Sequence, residues 1–180
     1  MKRIIHKIKV SIFSMMGLAL DIHSKASWPS YALSNFYPHS FEFDGVRCGS
    51  MEGFLQSLKS NGRERQILVC ALSKKEAKLR STDTWKKEQD VYWNGKVYNR
   101  HGYRFQFLVR RAYRAMLKQC PKFREALMAT GNKRLYHTIG NTNPHDTILT
   151  EKELCAILTE LRNESCLPTQ IIVSQTECIS

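Results

Sequence analysis

Apolar residues along this chain recur at two periods, and those periods lay out most of its elements. Between Tyr103 and Lys118 the apolar positions Phe105, Leu108, Val109, Ala112, Met116 and Leu117 keep helical spacing, which predicts a long central helix that Pro121 interrupts. Lys122 to Ala129 continues as helix until Gly131, and Leu135 to Ile139 reads as a strand. Thr150 with Glu153 forms a capping box, and Leu154, Ile157, Leu158 and Leu161 make the stripe of a last helix ending near Arg162. Upstream, Phe41 to Arg47 alternates around Asp44-Gly45, a hairpin signal, and Ala19 to His23 suits a first strand. Arg65 to Leu72 is a further helical stretch. Ser73 with Glu76 opens a short helix through Arg80, and Asp83 or Thr84 caps a turn carrying Trp85. The pattern predicts an α+β fold: a single, mainly helical domain with a small β-sheet or hairpin.

The helix after the hairpin carries the candidate chemistry. Ser50 is a good N-cap, so the helix starts at Met51 with Glu52 in its first turn. At about 100° per residue, Glu52, Gln56 and Lys59 share one stripe, while Phe54, Leu55 and Leu58 form an apolar one. A carboxylate near a helix N-terminus feels the positive end of the macrodipole, which lowers its pKa unless burial opposes it, so Glu52 is expected to be an anion at neutral pH. An ionised carboxylate suits a general base, or the stabilisation of developing positive charge. A first-turn glutamate also serves its helix alone by the same dipole argument, and that reading stands beside the catalytic one.

Composition limits the setting. With 180 residues and 42% apolar content the chain can bury one core. The formal charge of +12 favours polyanionic partners such as phosphates, nucleotides or nucleic acid. Most of the basic residues that recur from Lys74 to Lys87 and from Arg100 to Lys118 read as solvated faces. The six cysteines show no paired spacing, so neither a zinc site nor a disulfide framework is expected, and a reducing, cytoplasmic setting fits. Lys2, Arg3, Lys7 and Lys9 before Val10 to Leu20 imitate a secretory signal faintly, but Ser11 and Ser14 interrupt the run and it is too short to span a bilayer. Residues 1–18 are therefore expected to be a loosely attached extension, with Met15 or Met16 an alternative start, residues 19–163 the domain, and 164–180 a tail that is disordered or adds a short strand. No membrane partner is expected.

The motif Ser34-Asn35-Phe36, then Asp44-Gly45, then Ser50-x-Glu52-x-x-x-Gln56-x-x-Lys59 resembles that of the NADAR (YbiA-like) family. Ala77-Lys78, Trp93 and the segment Phe123 to Thr130 resemble later family features in the same order, so the likeness runs from about Leu33 to Leu161. The resemblance implies an N-glycosidase acting on ribosylated substrates: ADP-ribose on guanine bases of nucleic acid, or ribosylated intermediates of riboflavin synthesis. It implies neither metal nor cofactor. Glu52 would be catalytic, stabilising oxocarbenium character at the ribose and orienting water. Asn35 would bind ribose hydroxyls, Gln56 would support the carboxylate or the water, Lys59 and Lys78 would meet phosphate, and Trp93 would hold the base. Phe36, His137 and Asp146 complete the implied substrate-binding set. For Trp93, hairpin packing is the competing reading, and Trp28 and Trp85 are read as packing residues.

Two departures stand out. Many members carry His after the motif Glu, where this chain has Gly53, and the late acidic and Asp-x-x-Trp-Gly elements are replaced by His137 and by Asp146 without Trp-Gly. A protein that only reads ADP-ribose or nucleotides is the alternative from another class.

Overall fold

The computed structural model describes residues 2–80 and 83–166. Two hairpins and a parallel strand pair are set around helices, each strand pair a separate two-stranded sheet. Strand β2 (Phe41–Phe43) turns into β3 (Val46–Cys48), and β4 (Asp90–Trp93) into β5 (Lys96–Asn99), both antiparallel. The turns are Asp44-Gly45 and Asn94-Gly95, all four residues at positive φ (48° and 76°, 51° and 74°). Asp, Asn and Gly tolerate that region, and such turns match the strands' twist. Strand β1 (Ala19–Asp21) pairs parallel with β6 (Arg134–Tyr136), Leu20 opposite Leu135. The described chain is one mainly helical unit with small strand pairs, as the apolar periods predict.

The central helix is α6 (Tyr103–Gln119), which buries Phe105, Leu108, Val109, Ala112, Tyr113 and Met116. Around it lie α2 (Met51–Ser57), α7 (Pro121–Ala129) and α8 (Glu151–Cys166), whose Phe54, Phe123 and Leu158 are at most 1% exposed. Ser50 caps α2 by accepting from the Gly53 N–H at 3.0 Å. Thr150 and Glu153 close their capping box, with the Glu153 N–H on Thr150 Oγ1 at 3.2 Å and the Thr150 N–H on Glu153 Oε2 at 2.7 Å.

Several boundaries differ from expectation for local reasons. Strand β6 stops at Tyr136, not Ile139, and β1 at Asp21, because the Asp21 carboxylate accepts both the Thr138 N–H (2.8 Å) and its hydroxyl (2.6 Å), drawing the chain into a turn. Helix α3 (Arg63–Cys70) lies two residues upstream of the expected Arg65–Leu72, since the Leu72 carbonyl is taken by the Ser50 hydroxyl. Helix α4 runs Lys74–Arg80. Neither Asp83 nor Thr84 caps α5 (Trp85–Glu88): Thr84 is itself helical, and Lys86 Nζ holds the Asp83 carboxylate at 2.8 Å. Helix α8 continues past Arg162 to Cys166, where Arg114 binds both Glu160 (2.8 Å) and Glu164 (2.6 Å). The rest of the expected tail, 167–180, lies outside the described residues.

Residues Lys2–Met15 form helix α1. Val10 is buried, Arg3 Nη2 donates to the Gly140 carbonyl at 2.8 Å, and the His6 ring meets Tyr136 edge-on. No helix among the described residues is long and apolar enough to cross a membrane. Trp85 is buried as expected of a packing residue, whereas Trp28 is 46% exposed and touches only the edge of Tyr31 among the aromatic rings.

Candidate functional site

Helix α2 is held tightly at its first turn. Added Cβ atoms on Gly49 and Gly53 would lie 2.2 and 2.3 Å from the Ala71 and Leu72 carbonyl oxygens, so α2 reaches the end of α3 only because both positions lack side chains. This explains Gly53 where related motifs carry His: no imidazole fits against that backbone. On the other side, the Glu52 N–H donates to the Asn35 carbonyl at 2.9 Å, joining α2 to the Ser34-Asn35-Phe36 loop.

That loop is fixed in turn by a residue sequence reasoning passed over. The Tyr113 hydroxyl, deep in the core, donates to Asn35 Oδ1 at 2.6 Å. The signal for it was a phenol on the apolar stripe of α6, since a buried Tyr O–H needs an acceptor. Burial holds the phenol well above its ordinary value despite the Asn35 contact, so it stays a neutral donor.

Glu52, Gln56 and Lys59 line one cleft of about 440 Å³, as their spacing predicts. Asn35, Phe36, Lys78 of α4, His137 and Asp146 also line it. Gln56 Nε2 donates to Glu52 Oε1 at 2.8 Å. Its own Oε1 is buried without a hydrogen-bond partner among the described residues, although the side chain is only 7% exposed. An orphaned acceptor in a polar cleft is a standing demand for a donor. Lys59 reaches Asp83 at 3.8 Å and lies 5.8 Å from the centre of the Trp85 ring. Lys86 also borders the cleft.

The direction of the Glu52 shift is set by burial rather than by the helix dipole. Burial raises its carboxyl above the ordinary value, and the Gln56 hydrogen bond and the Lys78 and Lys59 charges only offset part of that. The helix dipole favours the anion, but desolvation by burial outweighs it. Burial likewise lowers Lys59, against the pull of Asp83 and Glu52. The site pairs a carboxyl that ionises reluctantly with an ammonium that releases its proton more readily than usual, a pattern typical of working sites.

Trp93 does not join the cleft, which corrects its expected role against a base. It is 2% exposed, stacked on Phe43 and edge-on to Phe54, with Nε1 donating to Asp44 Oδ2 at 3.0 Å. The hairpin-packing reading holds, because the Asp44-Gly45 turn folds over the indole. His137 Nδ1 lies 2.5 Å from the Ile22 carbonyl. A carbonyl only accepts, so Nδ1 carries the hydrogen. Asp146 accepts from Asn143 Nδ2 at 2.5 Å within its own turn. That wall is anchored by Arg100, 1% exposed, which grips both Glu153 oxygens (3.0 and 2.7 Å) and donates to the Thr147 carbonyl at 3.0 Å. No group of three or more His, Cys, Asp or Glu among the described residues is arranged to hold a metal ion.

Residues 27–163 match the family model described as bacteriophage protein GP30.3. A protein of Enterobacteria phage T4, described as an uncharacterized 17.1 kDa protein in the Gp30-rIII intergenic region, is 36% identical over 148 residues, covering 80% of this chain and 97% of the phage protein. Among solved structures, that of the E. coli protein YbiA, determined by NMR, shares the fold with a TM-score of 0.55 at 17% identity, over 83% of this chain and 85% of that one.

Proposed function

The chain belongs to the bacteriophage protein GP30.3 family, and from that footing we propose that it is an N-glycosidase of the NADAR (YbiA-like) type, removing ADP-ribose from modified guanine bases in nucleic acid. The observation that carries the reading is Glu52 in the cleft, bonded to a Gln56 whose other amide atom is buried and unpartnered, with Lys59 and Lys78 beside them. The YbiA-like fold supports it.

In the proposed reaction the ribose C1–N bond breaks, its electron pair leaves with the guanine nitrogen, and that nitrogen takes up a proton from solvent, to which Glu52 later returns the one it gains. Positive charge builds at C1, which the ionised Glu52 stabilises through space. Water adds to C1 and passes a proton to Glu52. A carboxylate whose proton affinity has been raised by burial is a stronger base for that step than an ordinary one. Gln56 Oε1 takes an O–H from the water or a ribose hydroxyl, Asn35 a second hydroxyl, and Lys59 and Lys78 the diphosphate. Phe36, at the border of the cleft, takes the base-stacking part that Trp93 is too buried to play. Such a substrate and the free thiols of the described cysteines suit a reducing cytoplasm.

Purified protein incubated with DNA carrying ADP-ribosylated guanine should release free ADP-ribose, read by mass spectrometry. Binding of ADP-ribose without any release would make the protein a reader and overturn the proposal. A second reading is favoured by the cleft's size, which suits one small molecule: hydrolysis of a free ribosylated riboflavin intermediate. Affinity that falls steeply with salt supports nucleic acid, and a flat response supports the metabolite.

A further inference from the structure

Outside the cleft, the most unusual surface lies where α6 leaves the second hairpin. Tyr103 and Phe107 are 77% and 60% exposed, and Val97 of β5 is 60% exposed beside them. Together with Lys96, Tyr98 and Arg104 they line a groove of about 490 Å³. Tyr103 and Phe107 are one helical turn apart and share a face, about 6 Å along the axis, close to the span of two stacked bases, about 7 Å.

The groove's cations are Lys96, Arg104 and Arg111, of which Arg111 is paired with Asp44 at 2.6 Å. Arg110 and Arg114 are neutralised by Glu160 and Glu164. Among the described residues Arg104 has no carboxylate partner; its guanidinium lies 6.0 Å from the Tyr103 ring centre, with Nε on the Tyr103 hydroxyl at 3.3 Å. Aromatic faces interleaved with unneutralised cations, on a chain of formal charge +12, match a ligand that offers π-faces and negative charge together.

One ring contact joins residues that flank the groove and the cleft along the chain. His101, two residues before Tyr103, packs its ring on His145 at 4.5 Å, and Asp146 and Thr147 border the cleft. Gln89 ties the same corner by donating to the His145 carbonyl at 3.2 Å.

We propose that the Tyr103–Phe107 face is a stacking platform for single-stranded DNA flanking the base held in the cleft, the strand passing over His145 and His101. The path, though not the binding, rests on the reading of the cleft given above. Unpaired bases are required because a duplex keeps its base faces covered. The strand is taken as DNA, the substrate of the proposed function, with RNA of the same sequence as the control.

The test uses the full chain and a fluorescein-labelled, unmodified oligonucleotide of about twelve nucleotides, followed by anisotropy. The single strand should bind more tightly than its duplex and than RNA of the same sequence. The Tyr103→Ala/Phe107→Ala double variant should bind it about a hundredfold more weakly. Arg104→Ala should reduce the slope of log affinity against log salt by about one. Because both aromatics are exposed, the double variant should keep its melting temperature and its hydrolysis of ADP-ribosylated guanosine. Undiminished binding by the double variant, or equal or tighter binding of duplex or RNA, overturns the platform. Strand binding without any hydrolysis by the native protein overturns the cleft's reading and leaves the platform standing.

Discussion

Replacing Glu52 by Gln separates what the carboxylate does for chemistry from what it costs the fold. The folded protein holds the Glu52 proton more tightly than the unfolded chain does, because burial disfavours the anion. The sign follows by linkage: below the ordinary value of 4.5 the group is protonated in both states and costs nothing, and stability then falls as pH rises through the raised folded value. Each pH unit of displacement is about 1.4 kcal/mol, and in a chain of this size each kcal/mol shifts the melting temperature by about 2–4 °C. Gln retains an oxygen for the 2.8 Å bond from Gln56 Nε2 and carries no charge. E52Q should therefore melt above the native protein at pH 7.5, with the difference closing toward pH 4, while turnover falls on the order of a thousandfold. Thermal melts across pH, paired with ADP-ribose release, provide both readouts. A lower melting temperature at pH 7.5 would mean that Lys59 and Lys78 outweigh desolvation, and the burial argument would be wrong. Near-normal turnover would remove Glu52 from the mechanism.

Three further outcomes are expected. Gly53→Ala drives a methyl against the Leu72 and Cys70 carbonyl oxygens, at 2.3 and 2.5 Å from the added carbon, and should cost about 1–3 kcal/mol in urea denaturation. Arg100→Met strands the partly buried Glu153 carboxylate, whose ionisation Arg100 and Thr150 favour against burial, and should cost about 3–5 kcal/mol in the same assay at neutral pH. Lys59→Met should leave the melting temperature within a few degrees of the native value and weaken ADP-ribose binding at least tenfold by calorimetry, in line with about 1.5–3 kcal/mol for a hydrogen bond to a charged group.

Much of this molecule is legible without coordinates because its signals are local. The Asp44-Gly45 turn, the Ser50 and Thr150 caps and the stripe of α6 depend on residues within a few positions of one another, where steric and hydrogen-bonding rules act directly. The same is true of the Glu52-Gln56-Lys59 stripe, since helical geometry alone aligns three such side chains. Features that needed the third dimension depend on partners far along the chain. Trp93 is a core residue because the Asp44 turn and Phe54 close over it, and Tyr113 serves the site because Asn35, 78 positions away, meets it. The end of β6 was decided by Asp21 capturing Thr138, and the absence of a side chain at position 53 by the backbone of residues 70–72. Ionisation belongs to that second class as well. A helix dipole can be read from sequence, but desolvation is set by what folds over the carboxyl, so only the tertiary structure could reverse the expected direction of the Glu52 shift.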